Sequence, residues 1–281
     1  MTGEVGRAAA FFDLDKTVIA KSSALAFGRP FFEGGLMNRR TVLKGAYAQF
    51  VFSLAGADAA QMDRMRDQIT AMCTGWDVGV VHDIVRETLH SIVDPLVYAE
   101  AADLIEAHRA AGREVVIVSS SGSEVVTPIG EMLGVDRVVA TRMVVVDGRY
   151  TGEIEYYAYG ENKAAAMREV AAEMGYDLAD CHAYSDSVTD LPMLAAVGHP
   201  TAVNPDRGLR RAAAERGWPV LEFARPVPLS ARSAQRRAPL VTGAAVGVGA
   251  AVVGLAWYAR RRALRLLEEA PQHRRRPRAR A

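Results

Sequence analysis

Short apolar runs alternate with longer amphipathic stretches along most of the chain. Three apolar runs end in carboxylate or hydroxyl side chains, and we expect them to be buried strands: residues 8–12, 114–119 and 181–185. Weaker strand patterns lie at residues 199–203 and 219–221. Helical patterns lie between the strands, at residues 100–111, 124–133, 163–174, 191–196 and 205–216. This alternation predicts an α/β fold with a parallel sheet, which binds ligands beyond the carboxyl ends of its strands.

Two segments depart from this alternation. Residues 22–95 hold apolar side chains at helical spacing and no strong strand pattern, which predicts a helical insertion after the first strand. In residues 141–159, Asp147 and Gly148 separate two strand-like runs. That dipeptide favours a tight turn, so this segment is predicted to be a β-hairpin.

Charge divides the chain into an acidic body and a basic tail. Residues 1–222 carry 21 Lys and Arg against 31 Asp and Glu, a net −10, whereas residues 223–281 carry 13 Arg against 2 Glu, a net +11. The acidic body argues against nucleic acid as its partner. Cys73 and Cys181 form no disulfide framework and favour a reducing compartment.

Residues 240–259 are 20 residues without a formal charge, flanked by arginines and ending near Trp257 and Tyr258. A helix of this length spans about 30 Å, the thickness of a bilayer core. We predict a single transmembrane helix, with a buried helix of a soluble protein as the alternative. No signal-peptide pattern opens the chain, so the expected location is the cell membrane with the body in the cytoplasm. The spacing of Gly243 and Gly247 predicts a homodimer contact, although small-residue composition alone explains it equally well.

Candidate catalytic carboxylates follow two of the predicted strands. Asp13 and Asp15 come after the first, where one can serve as nucleophile and the other as general acid/base. Asp186 and Asp190 come after the third, and their repulsion with the first pair would be relieved by Mg²⁺. The alternatives are an ordinary turn for the first pair and a helix cap for the second.

A lysine and a run of hydroxyls complete the candidate site. Lys163 is the only lysine after Lys44 in a chain that otherwise uses arginine, which suggests a need for a compact ammonium; the alternative is an exposed lysine at a helix start. Residues 119–122, Ser-Ser-Ser-Gly, would open a helix as an anion site or merely as a cap. Together these groups fit phosphoryl transfer.

Four segments resemble, in order and spacing, the motifs of the haloacid dehalogenase-like hydrolase superfamily: FFDLDKT, VIVSSS, GENKAAAM and YSDSVTDLPML. The resemblance covers about residues 8–222, and the insertion and the DLPML ending are similar to the phosphoserine-phosphatase-like subfamily IB. It implies a Rossmann-like core with a helical C1 cap. The implied domains are a core at 1–21 and 96–222, a cap at 22–95, a linker at 223–239, a membrane helix at 240–259 and a basic tail at 260–281.

The resemblance implies a role for each of four charged residues. Asp13 would be the nucleophile that forms an aspartyl-phosphate and binds Mg²⁺. Asp15 would be the general acid/base and would give its backbone carbonyl to the metal. Lys163 would stabilise charge on the nucleophile and the phosphate, and Asp186 would ligate Mg²⁺ directly.

Four further residues would support these. Ser119 and Ser120 would bind the phosphoryl group, Thr17 would steady the loop, and Asp190 would support the metal site or orient Lys163. The chain departs from the family pattern at residues 120–121, 185, 187 and 189, and at Ser22, where phosphoserine phosphatases have a substrate-reading glutamate.

The resulting prediction is a membrane-tethered, Mg²⁺-dependent phosphomonoester hydrolase. Its substrate would be a small-molecule or lipid phosphate other than free phosphoserine, because Ser22 offers no partner for the amino group. The alternatives are a membrane-anchored regulatory protein that binds a phosphorylated partner, and a phosphomutase.

Overall fold

The computed structural model describes residues 7–37, 67 and 70–228. The chain divides into two compact units, Met1–Ser230 and Ala231–Ala281. The second unit lies outside the described residues, and with it lie the predicted membrane segment 240–259, its Gly243 and Gly247, and the basic tail. Within the described residues, no helix combines the length and the apolar character needed to cross a membrane.

One seven-stranded sheet forms the centre of the described body, in the order β4-β3-β2-β1-β5-β6-β7. Its strands are β1 Ala9–Phe12, β2 Glu114–Gly122, β3 Arg137–Val146, β4 Arg149–Tyr156, β5 His182–Ser185, β6 His199–Val203 and β7 Val220–Leu221. All neighbouring pairs are parallel except β3 and β4. The prediction of a Rossmann-like α/β fold dominated by parallel pairing is confirmed.

Helices connect these strands close to where the sequence pattern places them. The described helices are α1 Ser23–Ala26, α2 Gly28–Glu33, α3 Val78–Val93, α4 Ala99–Ala110, α5 Ser123–Leu133, α6 Glu161–Met174, α7 Leu191–Ala195 and α8 Arg207–Arg216. Two 3₁₀ turns, Asp94–Leu96 and Val188–Asp190, precede α4 and α7. Side-chain caps fix two starts: Asp77 accepts from Val80 N at 3.2 Å and Asp206 accepts from Leu209 N at 2.7 Å.

The sheet buries an apolar core on each face, as the period of a strand requires. In β1, Ala10 and Phe12 join one core, whereas Ala9 and Phe11 join the other. The first core also contains the buried stripe of α3, whose members lie four residues apart: Val81, Val85, Leu89 and Val93. The last helix of the insertion is therefore joined to the body by continuous apolar packing.

The described part of the insertion is helical, as predicted, in α1, α2 and α3. Residues 38–66 and 68–69, on which part of that prediction depends, lie outside the described residues.

The hairpin is confirmed with its turn. Asp147 and Gly148 have φ of 49° and 73°, the left-handed conformation that a two-residue hairpin turn demands. The hairpin tip also contacts the start of α3, where Val78 N donates to Gly148 O at 3.0 Å.

Residues 119–122 lead directly into a helix, as the sequence predicts, because Gly122 is the N-cap residue of α5 and that helix begins at Ser123. Strand β2 also extends through these residues, and Gly122 pairs with Thr141 of β3 after a register shift.

Candidate active site

The carboxyl ends of β1, β2 and β5 bring the predicted site residues to one edge of the sheet. Asp13 directly follows β1, and its N–H donates to Tyr184 O at 2.9 Å, continuing the pairing with β5. Asp186 directly follows β5, and Ser119 lies in the last part of β2. Because these strands are parallel neighbours, side chains more than a hundred residues apart in sequence meet there.

Lys163 is the centre of the assembled charges. It lies in the first turn of α6 and its side chain is only 2% exposed. Its Nζ donates to Asp13 Oδ1 and to Asp190 Oδ2, each at 2.7 Å. The alternative of an exposed lysine at a helix start is therefore wrong, because the ammonium is enclosed by two carboxylates.

Asp190 precedes α7 but does not cap that helix through its side chain. Its Oδ2 instead accepts from Lys163 Nζ and, at 2.7 Å, from the buried Ser185 hydroxyl. The carboxylate thus holds the lysine in place, and the helix-cap interpretation of Asp190 is wrong.

Burial and charge oppose each other at Asp13. Burial raises the pKa of Asp13 to about 7, although Lys163 acts in the opposite direction, and the charges of Asp190 and Asp15 raise the pKa further. Burial alone would lower the pKa of Lys163, but Asp13 and Asp190 outweigh it and raise that pKa. Thr17 Oγ1 donates to the second oxygen of Asp13 at 3.1 Å, so both oxygens of this carboxylate are held.

Asp186 adds a further carboxylate to the same edge. Burial, followed by the charge of Asp13, raises the pKa of Asp186 to about 8, while Lys16 acts in the opposite direction. Among the described residues, no group of three or more His, Cys, Asp or Glu side chains has the arrangement of a metal site. The donor set nevertheless fits a hard cation, because Asp13 and Asp186 bring closely coupled negative charge that a divalent ion would neutralise.

Asp15 is held by a set of hydroxyl and amide donors. Its Oδ1 accepts from Ser23 N at 2.8 Å, and its Oδ2 accepts from Ser121 Oγ at 2.9 Å and from Ser22 Oγ at 3.4 Å. The Ser23 hydroxyl in turn donates to Ser121 Oγ at 2.9 Å. Sequence reasoning noted residue 22 as a departure from a family pattern and residue 121 also as part of a candidate anion site, but it missed Ser23, since no local signal links it to Asp15.

The two predicted phosphoryl-binding serines differ in their placement. Ser119 is buried beside the charged groups, and its Oγ accepts from Ser121 N at 3.2 Å. Ser120 is exposed, and its backbone carbonyl accepts from Thr141 Oγ1 at 2.8 Å. The structure thus brings Ser119, but not the Ser120 side chain, into the described network.

The backbone after β1 turns sharply enough to present both aspartates. Leu14 O accepts from Val18 N at 2.9 Å and from Ile19 N at 3.0 Å. Lys16 has a φ of 63°, a left-handed conformation that is uncommon outside glycine and is often found at functional loops. The arrangement offers a buried carboxylate against an ammonium, a second carboxylate held by donors, and oxygen ligands for a cation.

Comparisons with known proteins point to one family of hydrolases. The family described as haloacid dehalogenase-like hydrolase matches residues 10–195. A protein of Streptomyces azureus, named "Inhibition of morphological differentiation protein", is 64% identical over 261 residues, covering 91% of this chain and 94% of the relative. A probable phosphatase of Mycobacterium tuberculosis is 62% identical over 259 residues, covering 92% of this chain and 90% of the relative.

A solved structure of a phospho-aspartyl intermediate analogue of phosphoserine phosphatase has the same fold. Its TM-score is 0.57 at 18% identity, covering 78% of this chain and 95% of that chain. At this level of identity the likeness concerns the fold alone.

Proposed function

Because this chain belongs to the haloacid dehalogenase-like hydrolase family and is a phosphatase, we propose that it hydrolyses phosphomonoesters through a phosphate bound covalently to Asp13. The observation that carries the proposal is the buried contact of Lys163 with Asp13 and Asp190, at 2.7 Å each. A buried ammonium fixed against a carboxylate keeps that carboxylate oriented and offsets negative charge as phosphate arrives.

The proposed reaction has two balanced steps. In the first, a carboxylate oxygen of Asp13 attacks phosphorus, the ester P–O bond breaks, and Asp15 gives its proton to the departing oxygen to release an alcohol. In the second, water attacks the same phosphorus, Asp15 takes one proton from that water, and the bond between phosphorus and Asp13 breaks. Inorganic phosphate leaves, and both carboxyl groups return to their starting states.

The proposed cofactor is Mg²⁺. The Asp13 and Asp186 carboxylates and the backbone carbonyl of Asp15 would hold it. When bound, it supplies positive charge that neutralises phosphoryl oxygens and the two carboxylates. The support for this assignment is the raised pKa of Asp186, which burial and the charge of Asp13 together produce.

Free phosphoserine is not the proposed substrate. Ser22 offers only a hydroxyl, which lies 3.4 Å from Asp15 Oδ2 and is directed to that carboxylate. A substrate ammonium would find no carboxylate at position 22. We therefore favour a phosphomonoester without a recognised amino group, either a soluble small molecule or a lipid phosphate.

The proposed location is the cytoplasmic face of the cell membrane, through a helix at residues 240–259. Its support from the described body is where the chain leaves it: Arg225 O accepts from Ala99 N at 2.8 Å, and Val227 N donates to Val97 O at 3.0 Å. Tyr98 lies between Val97 and Ala99 in sequence. Burial raises the pKa of the Tyr98 phenol, and the charge of the nearby Asp186 raises it further. Val97 also pairs with Ile19, four residues after Asp15, so the chain leaves the described body beside the loop that carries Asp15, which suits a lipid-borne substrate.

Phosphate release by the full chain tests the activity. We expect turnover of some members of a phosphomonoester panel in Mg²⁺, none in EDTA, and a loss of at least about a thousandfold in Asp13→Asn. Acid-quenched protein should carry substrate phosphorus on Asp13. The matched control is Asp147→Asn at the hairpin tip, which should retain full activity. Transfer of phosphate to a second substrate position without free phosphate would instead identify a phosphomutase.

Two further experiments test the membrane part. Vesicles of phosphatidylcholine containing lysophosphatidate should yield phosphate faster than soluble glycerol phosphate at equal concentration; turnover of soluble esters alone would remove the lipid substrate. Val246→Arg with Val252→Arg should release the full chain from membranes, whereas Ala231→Arg with Ala234→Arg should not. Gly243→Leu with Gly247→Leu should reduce cross-linked dimer if those glycines form the contact.

A regulatory role is the second candidate, favoured by the name of the Streptomyces azureus relative. In it, the site would bind a phosphorylated partner without turnover. Asp13→Asn and Asp15→Asn in cells that depend on the protein separate the two, since a binding role survives both substitutions and a hydrolytic role survives neither.

A further inference from the structure

The hydroxyl groups around Asp15 form a directed chain. Ser23 Oγ donates to Ser121 Oγ at 2.9 Å, and Ser121 Oγ donates to Asp15 Oδ2 at 2.9 Å. A hydroxyl has one hydrogen to donate. Because the Ser121 hydroxyl donates its hydrogen to Asp15, it can only accept a hydrogen bond from Ser23. Chained hydrogen bonds polarise one another, and this one ends on a carboxylate.

The chain joins three parts of the fold that are distant in sequence. Asp15 lies on the loop after β1, Ser121 lies near the end of β2, and Ser23 is the first residue of α1, where the insertion begins. The Ser23 side chain is fully buried, so its hydroxyl is shielded from competing water. Ser23 N also donates to Asp15 Oδ1 at 2.8 Å. Ser23 therefore holds Asp15 directly through its backbone N–H and indirectly through the Ser121 hydroxyl.

The two oxygens of Asp15 are used unequally. Among the described residues, Oδ2 accepts from both Ser121 and Ser22, whereas Oδ1 accepts only from Ser23 N. A carboxylate oxygen has two lone pairs, so Oδ1 retains one that is not engaged. The proton that Asp15 carries therefore belongs on Oδ1, on the side left open by its partners.

We propose that Ser121 and Ser23 are positioning residues for proton transfer: Ser23 orients the Ser121 hydroxyl, which holds Oδ2 so that Oδ1 faces the leaving oxygen. This inference rests on the proposed function, because it assumes that Asp15 donates the proton that accompanies P–O cleavage. In that step the proton moves from Oδ1 to the ester oxygen as its bond to phosphorus breaks. Neither serine exchanges a proton with substrate.

Ser121→Ala isolates the hydroxyl. The substitution removes the bond to Asp15 and keeps the backbone N–H that donates to Ser119 Oγ at 3.2 Å. A general acid matters for a poor leaving group and little for a good one. The readout is kcat/KM, since it reports the steps through leaving-group departure and excludes the later hydrolysis that all substrates share.

For Ser121→Ala we expect kcat/KM to fall about 10- to 100-fold with an alkyl phosphate and less than about 3-fold with p-nitrophenyl phosphate. Ser121→Thr restores the hydroxyl and should recover most of the alkyl phosphate activity. The matched control is Ser91→Ala, which removes an exposed hydroxyl that donates to Thr88 O at 2.8 Å within α3. Ser91→Ala should leave kcat/KM unchanged with both substrates.

A double-mutant cycle tests the order of the chain. Ser23→Ala should lower alkyl phosphate kcat/KM by a smaller factor than Ser121→Ala, and should add little in a Ser121→Ala background. Additive losses would show that the Ser23 hydroxyl acts independently of Ser121 and would overturn the directed chain.

Two outcomes with Ser121→Ala also overturn the inference and remain distinct from failure of the proposed function. An equal loss with both substrates indicates a structural role, and an unchanged kcat/KM for Ser121→Ala indicates none. In either case the wild-type chain still forms phosphate on Asp13. If the wild type neither forms that intermediate nor releases phosphate from any ester, the proposed function itself has failed.

Discussion

Two polar clusters of the described body respond to burial in opposite ways. The charged cluster consists of Asp13, Lys163, Ser185 and Asp190, and in it the buried Lys163 keeps its charge. The histidine cluster consists of His108, Arg113, His182 and Tyr184. In this cluster His108 is 3% exposed, and burial, followed by the neighbouring His182, lowers the pKa of His108 to about 4.

The hydrogen bonds of His108 show how it stays neutral. Arg113 Nε donates to its Nδ1 at 2.7 Å, so that nitrogen carries no proton. The proton sits on Nε2, which donates to Tyr184 Oη at 2.8 Å, while Phe12 stacks on the Tyr184 ring at 4.5 Å. No carboxylate is among these partners, so the imidazole has nothing to offset a positive charge.

The difference between the two clusters shows which buried groups of this fold stay charged. A titratable group without an opposite charge loses its ionisation on burial, as His108 does. Lys163 keeps its charge because two carboxylates enclose it. A retained ammonium at the carboxyl edge favours the ionised form of the nucleophilic carboxylate, whereas the neutral imidazole of His108 serves packing. The following substitutions test that contrast.

Lys163→Met should have the largest effect. It leaves Asp13 and Asp190 buried without their shared counter-charge, and we expect a loss of about 3–5 kcal/mol in the free energy of unfolding, measured with urea, together with loss of turnover. Asp190→Asn in the same chain should recover part of the stability but not the turnover. Lys21→Met, an exposed lysine, is the control. Unchanged stability in Lys163→Met would contradict the contrast.

Ser185→Ala should come next. It removes the hydroxyl that donates to Asp190 Oδ2 at 2.7 Å, and a buried hydrogen bond to a charged group contributes about 1.5–3 kcal/mol. Urea unfolding measures this loss, with Ser91→Ala as the exposed hydroxyl control. A loss no larger than in the control would mean that the Asp190 charge is supported elsewhere.

The pH dependence of stability should reveal the histidine cluster. The pKa of His108 is about 4 in the folded state against a model-peptide value of 6.5, so stability is full above 6.5 and is lost as the pH falls toward 4. The unfolded chain takes up the proton that the folded chain refuses, and His108 contributes a loss of about 2 kcal/mol between pH 7 and pH 5.

Urea unfolding at those two pH values checks it. His108→Gln should reduce the difference between them, and His82→Gln, an exposed histidine, should leave it unchanged. If the unfolding free energy of His108→Gln fell between pH 7 and pH 5 as much as that of the wild type, a group other than His108 would cause the pH dependence.

Tyr184→Phe should have the smallest effect. It removes the acceptor of the His108 Nε2 proton and keeps the stacked ring, which we expect to cost about 1 kcal/mol of unfolding free energy. Turnover should be unaffected, because the phenol lies outside the charged cluster. A drop in turnover without a matching loss of stability would show that the two clusters are coupled.

Much of the frame could be predicted from the sequence, because it depends on local patterns. Buried strands that end in carboxylates converge once pairing is parallel, and Asp147 with Gly148 specifies its turn by backbone conformation alone. Lys163 could be predicted as a functional residue because it is the only lysine after Lys44 in a chain that otherwise uses arginine. These features are encoded within a few residues or by a single unusual choice.

The networks could not be predicted, because they depend on register and side-chain direction between distant segments. Ser23 and Ser121 are 98 positions apart, and His108 and Tyr184 are 76 apart. The resemblance implied that Asp190 would support the metal site or orient Lys163, but its local sequence is that of a helix cap, and its contact with Lys163 depends on the packing of α6 beside it. The extension of β2 to Gly122 likewise follows from pairing with β3 rather than from local preference.

The exit of the described chain beside Val97 has a practical consequence for anything attached there. Its backbone bonds at Ala99 and Val97 fix residues 225–227 beside a segment that also pairs with Ile19, four residues after Asp15. A reporter or surface linkage placed directly after residue 228 would therefore lie close to the loop that carries Asp15. Arg7, near the start of the described body, pairs with Tyr176 at the amino edge of the sheet. A linkage at Arg7 lies at the opposite edge of the sheet from that loop, which makes it the better choice for a sensor built on this protein.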